Sequence, residues 1–97
     1  MLIYKMNPPA NIDGAKVIRW AWSGPEPFGY VGSIDNPERA EVYGLAICQY
    51  EKSGSLYRFS CDKNWETVQD APYATVEDAI RFLPVQYKNV EAVWQSI

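Results

Sequence analysis

The sequence predicts a small α+β domain: a mainly antiparallel sheet of four to five strands with one α-helix packed on one face, as a two-layer sandwich. Its 97 residues are the length of one domain, so residues 1–97 are interpreted as a single globular unit. Residues 42–61 alternate between apolar and polar positions on either side of a turn. Residues 75–83 combine a helix-capping pattern with apolar residues at helical spacing.

The first two strands are predicted near the N-terminus. Residues 15–22 alternate, which indicates a strand with Ile18, Trp20 and Trp22 on one face. A weaker alternation predicts an edge strand at Leu2–Met6, which a long loop connects to its pairing partner, the strand within residues 15–22. Within that loop, Asp13-Gly14 is a turn signal.

Residues 23–38 interrupt the strand pattern. They contain half of the glycine in the chain together with several prolines, a composition typical of a loop. A short extended piece is predicted at Phe28–Val31. A loop of this length in a small domain often has a function.

The central prediction is a hairpin from Val42 to Cys61. Ser53-Gly54 is a two-residue turn signal, which sets Tyr50 opposite Tyr57. One face of this hairpin is then aromatic and apolar, as in an antiparallel sheet covered on one side by a helix. We therefore expect the helix to pack on that face.

The helix is predicted to follow a cap at Thr75. Asp78 stands three residues later, in the pattern of a capping box. Pro84 is expected to end the helix near Leu83, with one further turn over Val85–Tyr87. The last residues are predicted to form a closing strand that carries Trp94.

The residue types restrict the chemistry. The chain has no histidine, which excludes every Ser–His, Cys–His and His–metal arrangement. Residues 62–66 begin like a calcium-binding loop, but Thr67 and Tyr73 stand where the loop needs glycine and glutamate. Asp62 and Asn64 are instead expected to bond to local backbone N–H groups. The prediction is no metal, no cofactor and no catalytic residue.

Composition and charge limit the location and the partners. No apolar stretch is long enough for a signal peptide or for the ~20 residues of a membrane helix, so a cytoplasmic protein with free thiols is expected. The net charge is −3, and no two of the nine basic residues are adjacent, which argues against nucleic acid. Residues 62–78 contain five carboxylates against Lys63 alone. This acidic segment, residues 62–78, predicts attraction to a basic protein.

The candidate binding residues combine this acidic segment with aromatic side chains, which are enriched at protein interfaces. The competing interpretation is that the tryptophans fill the core and that the acidic side chains form a solvated surface. Asp62, Glu66 and Asp70, spaced four apart, would share one face if that segment were helical. The full set of candidates is Trp22, Phe28, Tyr30, Asp62, Trp65, Glu66, Asp70 and Tyr73.

The expected function is a non-enzymatic protein-binding or regulatory domain, such as an inhibitor or immunity-like protein that masks a basic partner. One alternative is a homo-oligomer, with a homodimer as its simplest form, that associates through an exposed strand edge or through residues 23–38. The other alternative is a small carboxylate-dependent enzyme or ligand-binding domain. No motif in the sequence selects between them.

Overall fold

A computed structural model describes residues 7–32, 35, 39–87 and 89–97. These residues form mostly antiparallel sheet with one short helix, in agreement with the α+β prediction. The strands are β1 (Asn11–Ile12), β2 (Ala15–Trp22), β3 (Gly29–Val31), β4 (Ala40–Val42), β5 (Gly44–Gln49), β6 (Leu56–Cys61), β7 (Thr67–Tyr73) and β8 (Gln95–Ser96). The helix is α1 (Val76–Arg81), followed by a 3₁₀ turn at Val85–Tyr87.

The strands form a curled sheet. Its order is β1-β2-β5-β6-β7, with β8 also paired to β2, and β3 and β4 make a separate two-stranded sheet. Among the described residues the main sheet has six strands, more than the four to five predicted, and it is a curled half-barrel instead of the flat layer of a two-layer sandwich. Register shifts in β2 and at the start of β7 mark β-bulges. Bulges increase the local twist, which favours a curled sheet.

A tight hairpin joins β1 to β2. Ile12 pairs with Ala15, so Asp13 and Gly14 are the only residues of the turn. Their φ angles are 49° and 84°, the left-handed conformation that a two-residue hairpin of the primed type requires. The predicted strand Leu2–Met6 lies outside the described residues.

The bulge in β2 changes which side chains share a face. Val17 lies opposite Cys48 and Arg19 opposite Ile47, so Ile18 is the extra residue. Trp20 therefore shares its side of the sheet with Val17, and the prediction that Ile18 shares it was wrong. A bulge inserts one residue, which reverses the alternation beyond it.

The hairpin between β5 and β6 is confirmed, but its turn is longer than predicted. Cys48 lies opposite Tyr57, and the Tyr50 N–H donates to the Ser55 carbonyl over 3.0 Å, which leaves residues 51–54 as the loop. The register differs by two residues from the one that Ser53-Gly54 predicted. A shift by two keeps every side chain on its predicted face.

Two apolar clusters lie on opposite sides of the main sheet. The first lies on the side that carries Tyr57 and Phe59, here called the aromatic face; the second lies on the side that carries Arg58 and Ser60, called the helical face. The buried members of the first are Ile12, Ala15, Val17, Ala46, Cys48, Phe59, Cys61 and Trp65. Those of the second are Ala21, Phe28, Val42, Leu45 and Tyr87.

The helix packs on the helical face, and the prediction that it covers the aromatic face was wrong. Arg58 is buried, and its Nη1 donates to the carbonyls of Ala79 and Phe82 over 2.6 and 3.0 Å. These carbonyls belong to the end of α1, where backbone acceptors lack partners within the helix. A positive charge is also favourable at this end of a helix.

The local signals around α1 are confirmed. The Thr75 hydroxyl accepts a hydrogen bond from the Asp78 N–H over 3.1 Å, as the capping pattern predicts. The helix ends at Arg81, before Pro84, and the further turn forms at Val85–Tyr87. The closing strand is Gln95–Ser96, so the prediction that it carries Trp94 was wrong; Trp94 precedes the strand and packs against the second cluster.

Candidate protein-binding surface

The acidic segment folds as a turn, a strand and a helix. Because residues 67–73 are strand β7, the helical arrangement that would place Asp62, Glu66 and Asp70 on one face does not form. The Asp62 carboxylate accepts hydrogen bonds from the N–H groups of Asn64 and Glu66 over 2.8 and 3.0 Å. Asp62 therefore shapes the turn, as predicted, while Asn64 takes part through its backbone.

Asp70 points to the aromatic face. It lies opposite Phe59 in the ladder between β6 and β7, and paired residues project from the same side of a sheet. Pro72 follows on the same side, opposite Tyr57. Proline is tolerated here because, in the described part of the chain, β7 pairs with β6 alone and so lies at the edge.

Asp13 joins this acidic surface from a distant part of the sequence. Its backbone carbonyl accepts a hydrogen bond from the Tyr50 hydroxyl over 3.2 Å. Asp13 and Glu66 both line a groove of about 520 Å³ that runs from the β1–β2 turn to the start of β7. The three exposed carboxylates Asp13, Glu66 and Asp70 are called the acidic rim below.

Tyr50 connects the acidic rim to the aromatic face. Desolvation, followed by the negative charges of Asp13 and Asp70, raises the pKa of Tyr50. Its ring makes an edge-on contact with Tyr57, with the centroids 5.6 Å apart. Tyr50 and Tyr57 are both half-buried. Partly exposed tyrosine rings beside carboxylates can contact the aliphatic part of a lysine or arginine while the carboxylates bind its charge.

Trp65 is a core residue, in agreement with the interpretation that competed with binding. It is 4% exposed and adopts a left-handed φ of 61°. Its ring centroid lies 5.7 Å from that of Trp22 and 6.3 Å from that of Trp20. Trp22 is half-buried within this contact.

The remaining candidates lie elsewhere. Phe28 is fully buried in the second cluster, so its selection as a surface residue was wrong. Tyr30 is half-buried in β3, under the guanidinium of Arg39 at 4.3 Å. Tyr73 contacts Arg58 on the helical face, with the guanidinium carbon 4.7 Å from the ring centroid. Of the eight candidates, the structure therefore brings only Glu66 and Asp70 to the acidic rim.

Sequence reasoning did not select Asp13, Tyr50 or Tyr57 as binding residues. In the sequence, Asp13 belongs only to a turn signal, and the alternation places Tyr50 and Tyr57 on the face that we expect the helix to cover. An alternating pattern shows which residues share a face, but it does not show which face the helix covers. The register between β6 and β7 sets which residue of β6 lies opposite Asp70, and no local pattern in the sequence predicts this register.

The thiols are unsuited to nucleophilic chemistry. Cys48 and Cys61 are free and fully buried. Burial raises the pKa of each to about 12, so both are protonated at neutral pH. Within residues 7–32, 35, 39–87 and 89–97, no group of three or more cysteine or acidic side chains is placed to hold a metal ion.

No protein-family model, curated protein or solved structure matches this chain. In the described ranges, no helix has the length and apolar character that crossing a membrane would require. The function proposed below therefore rests on the residues of the acidic rim and their surroundings.

Proposed function

We propose that this chain is a non-enzymatic protein-binding domain, of an inhibitor or immunity-like kind, that masks a basic surface of a partner protein in the cytoplasm. The observation that supports it is the acidic rim beside Tyr50 and Tyr57. Asp13, Glu66 and Asp70 are exposed, and among the described residues the only ion pair joins Arg81 to Asp78, on α1. As far as the described residues are concerned, the rim carboxylates thus keep their charge available to a partner.

The surroundings of the rim suit protein recognition. Carboxylates on one surface accelerate the encounter with a cationic partner and fix its orientation. Tyrosine is enriched at interface centres because it adds contact area with little loss of side-chain entropy. Tyr57 lies in β6, and backbone hydrogen bonds with Ser55 and Gly54 hold Tyr50 directly after β5, so the surface is preorganised.

The test is affinity capture from the native cell, with the unmodified protein and two matched variants as baits. The first is the variant D13N/E66Q/D70N, which removes the charge of the rim. The second is E26Q/E41Q/E77Q, which removes the same charge from exposed carboxylates outside it. The unmodified protein and the second variant should capture the same basic protein, and the first should not.

Kinetics with the captured protein complete the test. We expect neutralising the rim to lower the association rate about tenfold or more at low salt, and this difference to shrink as salt rises. Equal capture by all three baits, or capture that is indifferent to ionic strength, would contradict the proposal. Binding of an acidic partner would contradict it as well.

A further inference from the structure

A second surface lies in the C-terminal part of the chain. Among the described residues, the large apolar side chains that are exposed are Phe82, Val85, Val93 and Ile97, from 54% to 79% exposed. All belong to the stretch of chain between residues 82 and 97, from which Leu83, Tyr87 and Trp94 line one pocket. Apolar surface concentrated in this way marks interaction sites in proteins.

A pocket of about 330 Å³ opens in the same region. Its lining includes Ile80 of α1, Leu83 shortly after the helix, Tyr87 and Trp94. Phe82 precedes Leu83, and Val93 precedes Trp94, so two of the exposed side chains are sequence neighbours of the lining residues. An apolar side chain of a partner would fit this pocket.

The charges beside the pocket have both signs. The Arg81 guanidinium lies 4.8 Å from the centre of the Phe82 ring, and Glu91 lines the pocket. Within the described residues, Glu91 makes no ion pair, and Arg81 pairs with the partly exposed Asp78. In a two-fold symmetric contact, residue i of one copy meets residue j of the other and the reverse. Arg81 of one copy can therefore pair with Glu91 of the second copy, and Glu91 of the first copy with Arg81 of the second.

The nearby strand β8 provides an open edge. In the described part of the chain, β8 pairs only with β2, and the Ile97 N–H donates to the Ile18 carbonyl over 3.4 Å. The other side of β8 has no partner strand among these residues. Such edges readily pair with a second chain. The acidic rim carries only negative charge and would repel a copy of itself, whereas the C-terminal region carries charges of both signs, Arg81 and Glu91.

We propose that residues 80–87 and 89–97 form a homodimer interface, in which the exposed apolar side chains of each copy cover the pocket of the other and Arg81 of each copy meets Glu91 of the other. The interface is separate from the acidic rim, so it neither requires nor excludes the binding function proposed above. The two proposals can fail separately, because dimerisation is measured on the pure protein and the binding function is measured with a partner protein.

The first experiment is sedimentation velocity of the purified full chain over a concentration series. We expect a dimer that dissociates on dilution, and we expect F82D and V93D each to raise the dissociation constant about tenfold or more. Both positions are exposed, so folding should be unaffected, which circular dichroism checks. A monomer at every concentration up to about 1 mM would overturn the proposal.

The second experiment tests the symmetric ion pair. R81E and E91R should each weaken the dimer, and the double variant R81E/E91R should recover most of the loss because it restores the pair with reversed signs. K52E, on the loop between β5 and β6, makes the same charge change as R81E and should leave the dimer unchanged. If the double variant is as weak as the sum of the single variants, the proposed pairing is wrong.

Discussion

At the scale of single residues, Gly44 shows how closely the first cluster is packed. A Cβ added to Gly44 would lie 2.5 Å from the indole of Trp65, closer than real Cβ atoms approach other atoms. The left-handed backbone of Trp65 aims the ring at this space. Because Gly44 has no side chain, the indole of Trp65, the largest side chain in the turn before β7, can be buried.

We predict that Gly44→Ala lowers the free energy of unfolding by about 1–3 kcal/mol, because the indole must move within a packed cluster. Urea denaturation followed by tryptophan fluorescence measures this change. Gly54→Asn is the matched control. Gly54 has a φ of 74°, which asparagine tolerates, and open space around its Cβ position. Equal losses in the two variants would show that the Trp65 contact is not the cause.

The two buried thiols predict an alkaline loss of stability. In the unfolded chain a cysteine ionises near its ordinary pKa of 9.0, whereas burial raises the pKa of Cys48 and Cys61 to about 12 in the folded protein. Between these values the unfolded state releases protons that the folded state retains. The stabilisation is therefore complete below about pH 9 and is lost as the pH rises towards about 12.

We expect the free energy of unfolding to fall by about 1 kcal/mol per thiol for each pH unit in this window. Urea unfolding at several pH values measures the slope. The variant C48A/C61A should show a shallower slope, even though it is less stable overall. An unchanged slope would mean that other groups cause the alkaline loss.

At the scale of elements, Arg58 attaches α1 to the sheet. Its guanidinium bonds to two carbonyls at the end of the helix and lies over the ring of Tyr73 in the neighbouring strand. Burial lowers the pKa of Arg58, because desolvation disfavours the charged form. Hydrogen bonds to carbonyls and the contact with Tyr73 offset that desolvation.

We predict that Arg58→Met destabilises the protein by about 2 kcal/mol, because it leaves the carbonyls of Ala79 and Phe82 without their donor. Arg58→Lys should recover only part of the loss, since an ammonium lacks the planar group that lies over Tyr73. Thermal unfolding of the two variants measures both effects. A fully stable Arg58→Met variant would show that apolar packing alone holds α1 in place.

At the scale of the whole molecule, the curled sheet separates two surfaces with different properties. The aromatic face opens at the acidic rim, whereas α1 and the C-terminal residues cover the helical face and leave apolar side chains exposed. In the sheet that separates these surfaces, β5 is a central strand, paired with β2 on one side and with β6 on the other. The interior of the sheet is therefore the most constrained part of the molecule.

This arrangement predicts a gradient of hydrogen exchange. Amides of β5, bonded on both sides and buried, should exchange slowest and report global unfolding. Amides of α1, a helix of six residues, should exchange through local opening at lower free energy. Mass spectrometry or nuclear magnetic resonance measures both. Equal protection of α1 and β5 would show that the helix and the sheet unfold as one cooperative unit.

The same scales explain which predictions were confirmed. Each confirmed prediction depends on residues that are close together in the chain. These predictions are the cap at Thr75, the helix end before Pro84, the extended piece within residues 28–31 and the face pattern of β5 and β6. Local propensity, side-chain period and capping hydrogen bonds act over a few residues, so they are readable from sequence.

The predictions that failed depend on choices between competing local signals or on distant contacts. Asp13-Gly14 and Ser53-Gly54 are both turn signals, but only the first became a two-residue turn. In the sequence, Ile18 continues an alternating pattern. In the structure, a bulge at Ile18 in the pairing of β2 with β5 interrupts that alternation. No local pattern marks either outcome, because each is settled by the register that buries the most apolar surface across strands.

The sequence by itself determined an antiparallel hairpin with one aromatic face, a capped helix after it and an acidic segment between them. Only the tertiary structure decided that the helix lies on the opposite face, where Arg58 meets the carbonyls of Ala79 and Phe82. It also brought Asp13 to Tyr50 and turned Asp70 towards the same side. The reason is that the faces of a strand follow from its own residues, whereas the partner of each face depends on contacts between residues far apart in the chain.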